Sequence, residues 1–182
     1  MGKTEISRSL SSRIHAVHIS VGELVKKERL VDRVDEERGT LVADMSKVSK
    51  RMFDILNDTE GDVVIEGHYV TDVVPAEEVS SAFVLRRDPA KLMSVMKSRG
   101  YSDKKIRENL EAEILDVCLY SAIKTLGQDR VCEIDVSHKS VEEVVDEIVS
   151  VLDGREKCHA GNVDWLGRLE EEGRLQEYLK DF

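Results

Sequence analysis

The stretch Gly61–Tyr69, GDVVIEGHY, decides how the rest of the chain reads. A turn pair, Gly61-Asp62, precedes the apolar run Val63-Val64-Ile65, and Glu66, Gly67 and His68 follow. Three β-branched residues in a row predict a strand buried on both faces, as in a parallel sheet. An acid and an imidazole two residues apart, at that strand's carboxyl end, sit where open α/β sheets bind ligands. A buried strand that merely ends in polar residues would give the same pattern. The surroundings have to decide between the two.

On the N-terminal side, Ile6 and Leu10 lie four apart in a helical segment over Lys3–Ser12, and His15–Ile19 alternates as a short strand. Ser20-Val21-Gly22-Glu23 has the form of a capping box, opening a helix to about Arg29. Val31–Ala43 is polar and reads as an exposed loop around Asp35-Glu36-Glu37-Arg38-Gly39. Met45–Leu56 carries Met45, Val48, Met52, Ile55 and Leu56 on one helical stripe. Beyond the opening strand lies an irregular segment, 70–79, and then Ser81–Leu85 predicts another strand. Asp88-Pro89 starts a helix to about Ser98, with Asp as cap and Pro at the first position. Tyr101–Gly127 predicts the longest helix, Val131–Val136 a last strand, and Ser140-x-x-Glu143 the capping box of a helix through Leu152. Asp153–Asn162 reads as a linker. Trp165, Leu166, Leu169, Leu175 and Leu179 mark one or two terminal helices packed back on the body. Strands alternating with helices place the chain in the α/β class with a mainly parallel sheet.

Composition narrows the function. The 182 residues suffice for one ordinary domain. With 37 acids against 27 bases the net charge is −10, which disfavours gripping a nucleic-acid backbone through the general surface. Cys118, Cys132 and Cys158 are odd in number and form no CxxC pair, which favours reduced thiols over a disulfide frame or a zinc site. No apolar run reaches membrane-spanning length and no signal pattern opens the chain. A cytoplasmic protein with no membrane contact is the expectation, the nucleus being an option in a eukaryote.

Chemistry could gather around Met1-Gly2-Lys3-Thr4, directly before the first helix. Gly-Lys-Thr is the tail of the phosphate-loop pattern, in which backbone amides and a helix N-terminus hold phosphates, lysine reaches the β/γ-phosphates and the hydroxyl binds Mg²⁺. The tripeptide also occurs by chance. Followed by a helix and an α/β pattern, it gains weight. In such a site Glu66 could hold Mg²⁺, directly or through water, and His68 could orient an attacking water or the phosphoryl group. His15 and His18 read as surface or packing residues, and His138 and His159 receive no role. Arg86, Arg87, Lys97, Arg99, Lys104, Lys105 and Arg107 read mostly as a solvated helical face, with Arg99, beside Gly100, the candidate for a mobile lid.

Taken together these motifs resemble the adenylate kinase isoenzyme 6 family of small nuclear or archaeal adenylate kinase-like ATPases. The resemblance runs from Gly2 to about Leu152 and rests on GKT, ISVGEL (Ile19–Leu24), DEER (Asp35–Arg38), VVIEGH (Val63–His68), FVLR (Phe83–Arg86) and RGYSDKKIRENLEAEI (Arg99–Ile114). It implies a three-layer phosphate-loop kinase fold with strand order 2-3-1-4-5, and a kinase domain over 1–152 followed by a linker and helical extension over 153–182. It implies transfer of phosphate between ATP and AMP, or another nucleoside monophosphate, giving ADP, together with ATPase activity and Mg²⁺. A part in small ribosomal subunit maturation is also implied, through a small-subunit ribosomal protein, with any rRNA contact indirect. By position, Gly2, Lys3, Thr4 and the amide of Glu5 would hold ATP phosphates. The monophosphate segment would be 20–43, with Glu23 and Arg38, and the lid 98–108, with Arg99 on ATP and Arg107 nearby. Lys3, Glu66 and His68 would be catalytic, with Thr4 and Glu66 at the metal.

Three departures from the family pattern bear on activity. Glu66 stands where Asp is usual, and Glu5 where Ser or Thr is usual. The chain also begins inside the phosphate loop, without the first strand, which would be central in the implied order. Unsatisfied backbone groups along two such edges cost about 1–3 kcal/mol each, against a total stability of about 5–15 kcal/mol. Met1 is therefore expected to be an internal methionine of a longer natural protein, and the chain as written to bind ATP poorly or not to fold stably. The competing expectation is a catalytically impaired kinase-like protein that binds a ribosomal protein.

Overall fold

The computed structural model describes residues 2–35 and 40–179. These pack as two units: Gly2–Ser80 with Val141–Glu156, and Ser81–Ser140 with the chain from Lys157 onward.

In the first unit, α1 (Lys3–Ile14) leads into β1 (Val17–Ser20), which pairs in parallel with β4 (Val63–Glu66) in the register Val17↔Val63 to Ser20↔Glu66. A parallel pair needs a crossover. Here it comprises α2 (Val21–Glu28), the antiparallel hairpin β2 (Val31–Asp35) and β3 (Thr40–Ala43), and α3 (Met45–Asp58). The helix α3 starts where Asp44 accepts from the Lys47 amide at 3.1 Å. It buries Val48 and Met52 completely against Ile19, Val21, Val25 and Val73, each such side chain worth about 1.5–3 kcal/mol of transfer free energy. The residues of β4 are half-buried rather than buried on both faces as its sequence predicts. After β4 comes the short helix α4 (Val70–Val73) and a 3₁₀ turn at Ala76–Glu78. Much later in sequence, α8 (Val141–Leu152) returns to α1, where Arg13 meets Asp146 at 2.8 Å and Glu142 at 3.0 Å.

The hairpin corrects the exposed loop expected over Val31–Ala43. Asp32, Arg33 and Val34 are exposed in succession and only the end pair Val31 and Ala43 packs against the core, so β2 prints no period-2 hydrophobic pattern over these residues. Its tip, including Arg38, lies outside the described residues.

In the second unit, β5 (Ala82–Arg86) and β6 (Val131–Asp135) form another parallel pair, from Ala82↔Val131 to Arg86↔Asp135. Asp88 caps α5 (Pro89–Ser98) as its sequence predicts, accepting from the amides of Ala90 and Lys91. The long helix expected over Tyr101–Gly127 is instead two, α6 (Asp103–Ile114) and α7 (Val117–Leu126). The break has a distant cause. Arg86 donates through Nη2 to the Glu113 carbonyl at 2.7 Å and to the carboxylate of Asp116, which takes the left-handed conformation at φ 56°. The terminal helices α9 (Trp165–Glu171) and α10 (Leu175–Tyr178) bury Trp165, Leu169 and Tyr178 in one core with Leu92, Met96, Ile106, Leu110 and Ile114.

Arg86 corrects the reading of a solvated basic face. Its side chain is 2% exposed and bonds Glu113 at 2.8 Å, Asp116 and Glu133. Burial alone would lower the guanidinium pKa, but the three carboxylates outweigh it and hold the group above its ordinary value. The cysteine expectation is corrected too. Cys132 and Cys158 form a disulfide with Cα atoms 4.9 Å apart, a pairing that a 26-residue separation does not reveal. Cys118, on α7, keeps its thiol. Among the described residues each parallel pair and the hairpin is its own two-stranded sheet, and no helix is long and apolar enough to cross a membrane.

Candidate active site

Three elements of the first unit bring the candidate residues together. Gly2 precedes α1 at φ 82°, a left-handed conformation suited to glycine, and no side chain caps the helix there. The first amides of a helix have no intrahelical partners, so this end presents N–H groups. Lys3 and Thr4 are its first two residues. Glu66 closes β4 opposite Ser20 of β1, so both strands end at the same level, and Ser20 starts α2 by accepting from the Glu23 amide at 3.4 Å.

Two contacts join α1 to the end of β4. The Thr4 hydroxyl donates to Glu66 Oε1 at 3.0 Å, in a partly buried position. Lys3 Nζ lies 3.1 Å from His68 Nε2, at the surface. An ammonium group only donates, so Nε2 is the acceptor if this contact is a hydrogen bond from Lys3. Gly67 between them has a steric reason: a Cβ there would stand 3.1 Å from Val21 Cβ.

Behind this front, Ser7 donates to the Thr4 carbonyl at 3.1 Å, and its hydroxyl lies 2.9 Å from His18 Nε2. The sequence reads His18 as a surface or packing residue and does not single out Ser7. The signal was available, since Ser7 is one helical turn beyond Thr4 and His18 is two residues before Ser20. Glu23, in the first turn of α2, pairs with Arg8 of α1 at 2.9 Å, with both side chains mostly exposed. The capping box is therefore half realised, with Ser20 capping while Glu23 turns to Arg8. Glu5 is exposed on α1. Thus Gly2, Lys3, Thr4, Glu66 and His68 form one cluster, with Glu23 on the neighbouring helix. Arg99 and Arg107 belong to the second unit, where both are exposed: Arg99 ends α5 and Arg107 lies on α6. The segment between them is anchored, because Ile106 is 4% exposed in that unit's core.

The donor set suits a small hard cation. Thr4 offers a hydroxyl and Glu66 a carboxylate oxygen 3.0 Å away, while no group of three or more His, Cys, Asp or Glu gathers as an all-protein cage among the described residues. Mg²⁺ is held in this manner where substrate phosphates and waters complete its shell.

A glycine-led helix carrying Lys-Thr, set against an acid at the end of a parallel strand, is consistent with the phosphate-loop class of α/β protein. Comparison with known proteins agrees. Residues 1–116 match a family model described as "AAA domain". A protein of Thermococcus onnurineus named "Putative adenylate kinase" is 38% identical over 178 residues, covering 98% of this chain and 91% of its own. Proteins with the same name from Methanosarcina barkeri and Methanocaldococcus jannaschii are 36% and 35% identical, covering 91% of this chain and 92% and 87% of theirs. The chain belongs to this family of adenylate kinase-like phosphate-loop proteins.

Proposed function

We propose that the protein transfers the terminal phosphoryl group of ATP to a nucleoside monophosphate, with AMP the expected acceptor, and that it also hydrolyses ATP. The observation that carries this reading is the pair of contacts Thr4–Glu66 and Lys3–His68 at the N-terminus of α1. Phosphoryl transfer asks a protein mainly to position the groups and to neutralise charge on the phosphate oxygens. Lys3 would exchange His68 for a β/γ-phosphate oxygen, and the amides of Lys3, Thr4 and Glu5 would meet the other phosphates. Thr4 and Glu66 would hold Mg²⁺, which supplies further charge neutralisation on the phosphates. Once Lys3 leaves it, His68 Nε2 presents a lone pair that can accept a hydrogen bond from an attacking water. For a monophosphate acceptor, a phosphate oxygen forms the new bond to the γ-phosphorus while the bond to the β–γ bridging oxygen breaks, releasing two diphosphates. Glu23, Arg38, Arg99 and Arg107 are assigned to acceptor and lid contacts on the family resemblance. The part in small-subunit ribosome maturation rests on that resemblance too.

The test is ADP formation from ATP with and without AMP. AMP-stimulated ADP formation is expected, with a loss of about 10²–10³-fold in Lys3→Ala, the usual effect of removing a donor to the transition-state charge. Nucleotide binding without any AMP-dependent turnover would overturn the kinase reading in favour of a binding protein.

A further inference from the structure

Residues 157–163 run beside β6 in the second unit, held in three ways. The Cys132–Cys158 disulfide joins them to the strand. The Glu133 amide donates to the His159 carbonyl at 2.7 Å. The Glu133 carboxylate accepts from the amides of Gly161, Asn162 and Val163 at 2.9, 2.7 and 3.2 Å while its other oxygen meets Arg86. The two sulfurs differ in access. Cys132 is 3% exposed, whereas half-buried Cys158 lines an open cleft of about 380 Å³ with Gln128, Asp129, Lys157 and His159. Attack on a disulfide goes to the sulfur that a thiolate can reach, and a neighbouring cation favours the thiolate. Lys157 lines the same cleft, together with the acid Asp129.

We propose that Cys158 is a site of reversible thiol–disulfide exchange with low-molecular-weight thiols, and that this exchange sets how firmly residues 157–163 are fastened to β6. In the forward step the thiolate sulfur bonds to Cys158 Sγ and the Cys132–Cys158 bond breaks. The electron pair leaves with Cys132 Sγ, which takes a proton from water. The attacking thiol is thereby oxidised into the mixed disulfide, and Cys132 is reduced to a thiol. A second thiol attacking the small-molecule sulfur releases Cys158 as a thiol and completes the two-electron reduction. Burial keeps Cys132 beside its former partner, so it can reverse the first step when thiol is removed. The segment is then held by Glu133 and by Val163 packed against the core.

The experiment uses the full chain with Cys118→Ser, which removes the remaining thiol. Denatured without reductant, this chain is expected to titrate no thiol. Native protein treated with reduced glutathione and acid-quenched is expected to carry the adduct on Cys158 in a peptide map. Full reduction is expected to speed hydrogen exchange at Gly161–Val163 by up to about 10²-fold, within what closure of such a loop allows. Two free thiols before treatment, an adduct on Cys132, no adduct at any thiol concentration that reduces the bond, or unchanged exchange after full reduction would each overturn the proposal. None of these readings depends on phosphoryl transfer, so they stand or fall apart from the kinase assay.

Discussion

Replacing Arg86 with Met tests whether charge pairing inside the second unit holds β5, β6 and α6 together. The substitution keeps an unbranched chain of similar reach but removes five donors. Two of the acids it leaves are buried, Glu133 at 0% and Glu113 at 11% side-chain exposure, while Asp116 at 42% can turn to water. The three loop amides still serve Glu133, and the Trp165 indole still donates to Glu113 at 3.0 Å, so neither carboxylate is stripped bare. Breaking a buried pair by removing one partner costs about 3–5 kcal/mol, and the residual partners argue for the lower end. At about 2–4 °C per kcal/mol for a chain of this size, the midpoint should fall by at least 6 °C. Amide hydrogen exchange in β5 and β6 should rise by about two orders of magnitude or more, at about 1.36 kcal/mol per decade. Arg86→Met with Glu133→Gln should recover part of the loss, because the second change removes the stranded charge. A midpoint within 2 °C of the parent, with unchanged exchange in both strands, would refute the assignment of Arg86 as the charge centre of this unit.

Other outcomes follow from the same geometry. His68→Ala should lower ATP hydrolysis by about 10²-fold through loss of the lone pair that orients water, with ATP affinity little changed in equilibrium titration. Thr4→Val should weaken nucleotide binding in Mg²⁺ far more than in EDTA, since the methyl group keeps the shape but removes the hydroxyl ligand. For Asp88, burial would raise the carboxyl pKa, but Arg168 and the amides of Lys91 and Ala90 outweigh it and hold the group below its ordinary value. A lowered folded pKa contributes stability that is present above the unfolded value of about 3.9 and is lost as pH falls through the folded one. Urea midpoints measured between pH 5 and pH 2 should therefore fall less steeply in Asp88→Asn, which keeps the helix cap, than in the parent.

Local signals carried much of the fold. The Asp88-Pro89 start and the run Val63–Ile65 are short-range features, and helices and strands stand where they point. The failures share a cause at long range. Nothing within 101–127 foretells that Arg86, about 30 residues upstream of Asp116, takes the Glu113 carbonyl and splits the helix. Over Asp32, Arg33 and Val34 β2 is exposed on both faces, so its pairing there lies in backbone hydrogen bonds that leave no mark on side-chain hydropathy. The disulfide depends on residues 157–163 following the edge of β6, which the polar composition of that segment does not specify. At the site, Lys3, Thr4, Glu66 and His68 were legible because Gly-Lys-Thr before a helix and an acid and imidazole at a strand end are short-range patterns, and the structure brings the four side chains together. Ser7 and His18 act on Thr4 from behind, and no residue type is reserved for that task.

The two charge clusters show why burial decides what a basic residue does here. On sequence alone Arg86-Arg87 read as part of a solvated basic face. Arg86, however, is enclosed by Glu113, Asp116 and Glu133, and diverting it to a ligand would strand the fully buried carboxylate of Glu133 and the largely buried one of Glu113. That cost of about 3–5 kcal/mol is comparable with the whole binding energy of a millimolar ligand, about 4 kcal/mol. The Lys3–His68 contact lies at the surface, where a hydrogen bond contributes only about 0.5–1.5 kcal/mol net. Under the proposed function the lysine would exchange that contact for a phosphate oxygen, whereas the arginine is committed to holding its unit together.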